Sequence, residues 1–171
     1  MCVPLLAIVA WSGTGKTTLL EQVIPLLRGQ EIRAGLIKHT HHDMDVDTPG
    51  KDSYRLRQAG ADQVIVASDR RWALMCETPE QPVSLMALVG RMDSEQLDVV
   101  LVEGFKDEPV AKIVLWRSGI KGELAALLDE KVVAVACDDT TLNLNVPVLN
   151  INKPQEVAAF ILTWLGKKAH S

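Results

Sequence analysis

The sequence has few cysteines, no long apolar run and no basic cluster, and each shortage removes a class of protein. Its three cysteines, Cys2, Cys76 and Cys137, are odd in number and widely spaced, with no C-x-x-C pair. That argues against a disulfide framework or a zinc ribbon and predicts a reducing compartment. The apolar start, Met1 to Ala10, is too short to cross a bilayer and lacks the basic flank of a signal peptide. It reads as a buried first strand, and the expected location is cytoplasmic, away from membranes. No run of Lys or Arg offers a nucleic-acid face, and the formal net charge of −4 repels nucleic acid and anionic lipid alike. Any anion this chain binds must be held by local groups. Repeats, low-complexity tracts and linker-like stretches are also missing, so residues 1–171 read as a single domain.

What is present is ordinary globular material, 47% apolar and 23% charged, in a chain long enough to bury a real core. Val3 to Val9 is a continuous apolar run, as in a strand covered on both faces. Lys16 to Leu27 follows with Leu19, Leu20, Val23, Ile24 and Leu27 on one helical stripe, and Pro25 is expected to interrupt it in its last turns. Further strands are predicted at Ile32 to Lys38, Leu97 to Val102, Ala111 to Trp116, Val132 to Cys137 and Val146 to Ile151. Helices are expected at Tyr54 to Ala59, capped by Asp52 or Ser53, at Ser84 to Met92, and after Pro154. Gln63 to Ala67 and Arg71 to Glu77 read as paired strands around Ser68–Asp69–Arg70. The alternation predicts an α/β fold of three layers with a mostly parallel central sheet and an antiparallel hairpin at an edge. Such a hairpin has an edge that can pair with a second subunit.

The chemistry centres on Ala10-Trp11-Ser12-Gly13-Thr14-Gly15-Lys16-Thr17-Thr18, which fits G-x-x-x-x-G-K-[ST] except that Ala10 replaces the first glycine. An apolar strand precedes it and an amphipathic helix follows, the context a phosphate-binding P-loop needs. Gly13 and Gly15 permit turn conformations closed to other residues, so that successive N–H groups point inward at the positive end of the helix dipole. The nucleotide-binding candidates are therefore Ser12, Gly13, Thr14, Gly15, Lys16, Thr17 and Thr18. Lys16 is expected at the β- and γ-phosphates, the Thr17 hydroxyl on Mg²⁺ and Thr18 at the α-phosphate.

Leu97 to Gly104 is an apolar strand ending in an acid and a glycine. Glu103 at its carboxyl end suits a Mg²⁺-bound water or the attacking water, although acids at strand ends are also common on surfaces. Lys38 ends the second strand and would reach the γ-phosphate if that strand lies close to the first. With Lys16 and Glu103 it completes the catalytic candidates. His39 to Asp47 holds three of the four histidines, which raises a transition-metal site; a loop folding over the nucleotide is favoured, because no soft fourth ligand accompanies them. Asp47-Thr48-Pro49-Gly50 has the D-x-x-G shape of a GTPase switch, making Asp47 a metal-side candidate beside Thr17 and Glu103, with Asp52 a further acid nearby. Asn152-Lys153-Pro154-Gln155 fails the guanine-reading N-K-x-D pattern at its last position and reads as a cap before the final helix. Base contacts are assigned to the loop near Cys137, Asp138 and Asp139. Arg70, Arg71 and Trp72 read equally as a cationic surface for an anionic partner or a solvated strand end.

Taken together, residues 10–19, Gly35-Leu36-Ile37-Lys38-His39-Thr40-His41-His42, Asp47-Thr48-Pro49-Gly50-Lys51-Asp52-Ser53, Leu101-Val102-Glu103-Gly104-Phe105-Lys106 and Ala111-Lys112-Ile113 resemble the molybdopterin-guanine dinucleotide biosynthesis protein B family, MobB. The resemblance implies a homodimeric GTP-binding protein with weak GTPase activity. It also implies an adaptor that assists the guanylyltransferase MobA, which attaches GMP to molybdopterin. GTP and Mg²⁺ are the ligands it implies. The alternative reading is an ATP-dependent small-molecule kinase or ligase of the dethiobiotin synthetase type.

Overall fold

The computed structural model describes residues 3–40, 46–78 and 81–168. The chain divides into two compact units, Thr40–Ser84 and the remainder on either side of it. In the larger unit, β1 (Leu5–Ala10), β2 (Ala34–Lys38), β5 (Val99–Glu103), β6 (Ala111–Trp116), β7 (Val132–Cys137) and β8 (Val148–Asn150) form a six-stranded sheet. Its order is β2-β5-β1-β6-β7-β8, and every pairing is parallel. β1 is thus central, flanked by β5 and β6, and its apolar run is buried on both faces: Leu6, Ala7, Ile8 and Val9 are each at most 5% exposed.

Alternation along β1 sends side chains into two cores. Leu6 and Ile8 pack with Leu19, Leu20, Val23 and Leu27 of α1 (Lys16–Gly29) and with Val157, Ile161 and Trp164 of α4 (Pro154–Lys168). Ala7 and Val9 face the other way, toward Leu85 and Val89 of the short helix α3 (Leu85–Val89) and Leu127 of a 3₁₀ turn, Leu124–Leu127. Three layers result, as the alternation predicts.

Local details differ from the sequence reading. α1 does not break at Pro25 but continues to Gly29. Proline removes one backbone donor there, while its exposed ring leaves the buried stripe of Leu19, Leu20, Val23 and Leu27 intact. α3 spans five residues, because only Leu85 and Val89 of that segment find buried positions. At the sheet's far end, Lys112 is almost fully buried, and its ammonium is held by Asp129 at 2.5 Å and the Lys106 carbonyl at 2.7 Å.

The smaller unit holds α2 (Asp52–Gln58), β3 (Gln63–Ser68) and β4 (Arg71–Cys76). The hairpin is antiparallel as predicted, but Ser68 belongs to β3 and pairs with Arg71, so the turn is shorter than the expected Ser68–Asp69–Arg70. It makes a two-stranded sheet of its own instead of extending the six-stranded one. Asp52 is the first residue of α2 rather than its cap, which is Lys51. Ser53 instead donates its hydroxyl to Asp47 Oδ1 at 2.9 Å, and Arg57 bonds Glu77 at 2.8 Å under Tyr54. Ile65, Val66 and Trp72 on the hairpin remain exposed.

Candidate functional site

The loop after β1 is shaped by two left-handed glycines, Gly13 at φ 81° and Gly15 at φ 99°. A side chain at either would cost about 1–2 kcal/mol in that conformation. Gly15 also caps α1, yet no side chain among the described residues bonds the helix's first N–H groups and no acid lies in its first turn. Several of the loop's carbonyls, by contrast, are held by protein donors. The Trp11 carbonyl accepts from the buried Thr14 hydroxyl at 2.8 Å, the Gly15 carbonyl from Leu19 N–H at 3.0 Å, and the Ala10 carbonyl from Lys16 Nζ at 3.3 Å. A loop with these carbonyls held by protein donors, at the positive end of a 14-residue helix, is suited to an anion. Ser12, Thr17 and Thr18 are exposed beside it.

Two indoles, Trp11 within the loop and Trp116 at the end of β6, both anchor on the segment 122–123. Trp11 donates to the Glu123 carbonyl at 3.2 Å, and Trp116 donates to the Gly122 carbonyl at 3.3 Å. Gly122 must be glycine, since a Cβ there would sit 2.5 Å from the Trp11 ring. Arg117, the residue after β6, donates Nε to the Thr14 carbonyl at 3.1 Å and Nη1 to Asn152 Oδ1 at 2.7 Å. Gly13, Thr14, Gly15, Thr18, Arg117, Asn152 and Pro154 share the wall of one cavity of about 360 Å³.

On the other side of β1, Glu103 ends β5 level with Ile8 and with Lys38 of β2. Its carboxylate lies 3.8 Å from Lys38 Nζ, and the pair is unequal in exposure, Glu103 at 12% and Lys38 at 56%. Lys38 is therefore one strand removed from the phosphate loop's strand, with Glu103 between. The chain leaves β5 through two left-handed residues, Gly104 and Phe105, whose ring packs against His39 at 4.6 Å between centroids. Hydroxyl and carboxylate oxygens at Thr17 and Glu103 are the hard donors that Mg²⁺ prefers.

Asp47, the remaining metal candidate, belongs to the smaller unit. There Oδ1 accepts from Thr48 N–H and Ser53 Oγ, both at 2.9 Å, and closes the turn that carries Gly50 at φ 88°. His41 and His42 lie outside the described residues. Among the described residues no group of three His, Cys, Asp or Glu is placed to hold a metal ion. Arg70, Arg71 and Trp72 are exposed at the hairpin's turn end.

The segment assigned to base contacts is largely committed to its own surroundings. Asp138 accepts from the Ser118 hydroxyl at 2.6 Å and from its N–H, which hold its carboxyl below the usual range. Asp139 is likewise lowered by Thr141, and burial pushes the Cys137 thiol up. Asn152-Lys153-Pro154-Gln155 precedes α4 as a cap: Lys153 N–H bonds the Asn150 carbonyl, and the Glu156 carboxylate accepts from Asn150 N–H at 3.0 Å. What the sequence reading missed is that this cap also lines the cavity beside the phosphate loop, and that Arg117 joins the two. A cation directly after an apolar strand was the available signal, the same one that marked Lys38.

Comparison with known proteins follows the same lines. The profile of the family described as "MobB: Molybdopterin guanine dinucleotide synthesis protein B" matches residues 5–138. The chain belongs to the MobB family. A relative in Escherichia coli (strain K12), named molybdopterin-guanine dinucleotide biosynthesis adapter protein, is 58% identical over 97% of this chain and 95% of its own length. One of the same name in Haemophilus influenzae is 50% identical over 95% of this chain and 90% of its own. Among solved structures, one titled molybdopterin-guanine biosynthesis protein B superposes with a TM-score of 0.75 at 26% identity, covering 94% of this chain and 99% of that one. Bacillus subtilis MobB superposes with a TM-score of 0.76 at 25% identity, covering 94% and 96%. The solved MobB structures thus share this chain's α/β fold, with the six-stranded parallel sheet at its centre.

Proposed function

We propose that this chain is an adapter of molybdopterin-guanine dinucleotide biosynthesis that binds GTP with Mg²⁺ on residues 10–18 and hydrolyses it slowly. The observation that carries the nucleotide reading is the α1 N-terminus, left without a side-chain cap or an acid among the described residues, at the end of a loop in which the carbonyls of Ala10, Trp11, Thr14 and Gly15 are engaged. The adapter role is supported by family membership and by the names of the relatives.

In this reading the N–H groups of residues 13–17 receive the phosphate chain, and Lys16 leaves the Ala10 carbonyl for the β- and γ-phosphates. Thr17 and Glu103 would hold Mg²⁺, which would neutralise phosphate charge. Glu103, held largely out of solvent at the end of β5, orients water for slow attack, and Lys38 balances its charge. Asp47 acts as a switch-side acid. The chain works as a cytoplasmic homodimer alongside a guanylyltransferase. Support for the dimer is the exposed apolar set Ile65, Val66 and Trp72 on a hairpin with open edges. No helix among the described residues is long and apolar enough to cross a membrane.

Calorimetric titration of nucleotide-free protein with non-hydrolysable GTP and ATP analogues, with and without Mg²⁺, tests the reading. Tighter, Mg²⁺-dependent binding of the GTP analogue is expected. Preference for the ATP analogue would move the chain to the kinase or ligase class, and no binding of either would end the phosphate-loop reading.

A further inference from the structure

A backbone nest for phosphate needs its N–H groups turned toward the ligand, and so its carbonyls turned away. Around residues 10–15 four carbonyls are held by donors. Those of Ala10, Trp11 and Gly15 are held from within the loop and its helix, by Lys16, Thr14 and Leu19. Lys16 is also the side chain expected to move onto a bound phosphate, so its hold on Ala10 is provisional. The fourth carbonyl, Thr14, is held from outside, by Arg117 Nε at 3.1 Å across 103 residues of sequence.

The Thr14–Gly15 peptide is the one that matters most for the nest. A trans peptide is planar, with its C=O and the following N–H pointing in opposite directions. Pinning the Thr14 oxygen therefore pins the direction of Gly15 N–H. Gly15 sits at φ 99°, a conformation that glycine does not hold by sterics alone, since it populates both signs of φ readily. Something else must fix this peptide. Arg117 is well placed to do so, because its own position is fixed: β6 lies beside β1 with Leu115 opposite Ala10, and Nη1 is bonded to Asn152 at 2.7 Å.

We propose that Arg117 is a positioning residue for the phosphate loop, one that turns Gly15 N–H toward the bound phosphates by holding the Thr14 carbonyl and takes its own orientation from Asn152. This rests on the phosphate-loop reading. Arg117 touches no phosphate in this account. Its guanidinium acts on the loop's backbone, so its effect falls on the polyphosphate and is indifferent to the base.

That indifference gives the test. Wild type, Arg117→Ala, Arg117→Lys and Asn152→Ala are titrated calorimetrically with Mg²⁺-tripolyphosphate and with a non-hydrolysable GTP analogue, and each is melted without ligand. Arg117→Ala is expected to weaken both ligands by the same factor, about tenfold for one lost charge-assisted hydrogen bond. Arg117→Lys should recover most of the loss, since an ammonium can still reach one carbonyl, and Asn152→Ala should weaken both ligands about two- to threefold. Should Arg117→Ala fail to fold, Arg117→Gln keeps part of the stem and should show the same parallel loss. Unchanged affinity for both ligands in the Arg117 variants overturns the proposal while leaving the phosphate-loop reading in place. A loss confined to the GTP analogue also overturns it, by making Arg117 a nucleoside contact. If wild type itself binds neither ligand, the phosphate-loop reading falls and this proposal with it.

Discussion

Two strand–loop–helix connections lie side by side in the larger unit and treat their helix N-termini in opposite ways. After β8, the loop to α4 satisfies itself. Asn150 Oδ1 accepts from Asn152 N–H at 2.9 Å, Glu156 in the first turn accepts from Asn150 N–H, and Lys153 pairs with Glu156 at 3.3 Å. Pro154 opens the helix, where a missing donor costs nothing. After β1, the loop to α1 offers the helix no side-chain cap and no acid, and it spends its donors on its own carbonyls. The dipole at the two ends is the same. What differs is whether the chain supplies the negative charge itself or leaves that place to a ligand.

The comparison can be broken at one residue. Lys16→Ala removes the cation that the α1 end adds to its backbone donors. Triphosphate affinity should fall about 100-fold, with an unchanged melting temperature, measured by calorimetry and thermal unfolding. Unaltered affinity would mean that the loop is not a phosphate site. It can also be broken by transplanting chemistry. Glu156 is the third residue of α4 and Thr18 the third of α1, so Thr18→Glu gives α1 the acid that α4 already has. That variant should bind triphosphate at least about tenfold more weakly while melting no lower than wild type, because the new carboxylate answers the dipole in place of the ligand.

Glu103→Gln separates binding from chemistry. Phosphate release should drop about tenfold or more while affinity changes only a few-fold, because the residue's proposed work falls mainly in the transition state. Equal losses in both would make Glu103 a structural group, with neither the water-orienting nor the Mg²⁺-side role proposed for it. The smallest effect belongs to acid pH. The folded-state carboxyls of Asp138 and Glu156 are lowered, by Ser118 and by Asn150 N–H respectively, so each contributes stability above the ordinary carboxylate range. That contribution is lost as pH falls through the lowered values, below about pH 4. Asp138→Asn should therefore flatten the decline in melting temperature between pH 5 and pH 3; a slope matching wild type would remove Asp138 from the account.

Most of the sheet and the turn after β1 were legible along the chain, because β1, β5 and β7 are apolar runs and because Gly13 and Gly15 carry the reasons for their left-handed conformations locally. The strand order was not. Arg117 and Asn152 gain meaning only once β6 is known to lie beside β1, and Gly122 only once Trp11 is known to cover it. The hairpin's pairing was read from its alternation and turn, but nothing in Gln63 to Cys76 says which sheet it joins. Pro25 misled for the opposite reason: a local rule was overridden by four buried side chains on the far face of α1.

The most direct test follows the backbone amides of both helix ends by ¹⁵N-resolved NMR while Mg²⁺ and a GTP analogue are added. The account predicts large shifts at Gly13, Gly15, Lys16 and Thr17, with the amides of Gln155 and Glu156 at the start of α4 nearly still. Comparable shifts at both ends, or shifts at α4 with a silent phosphate loop, would contradict it.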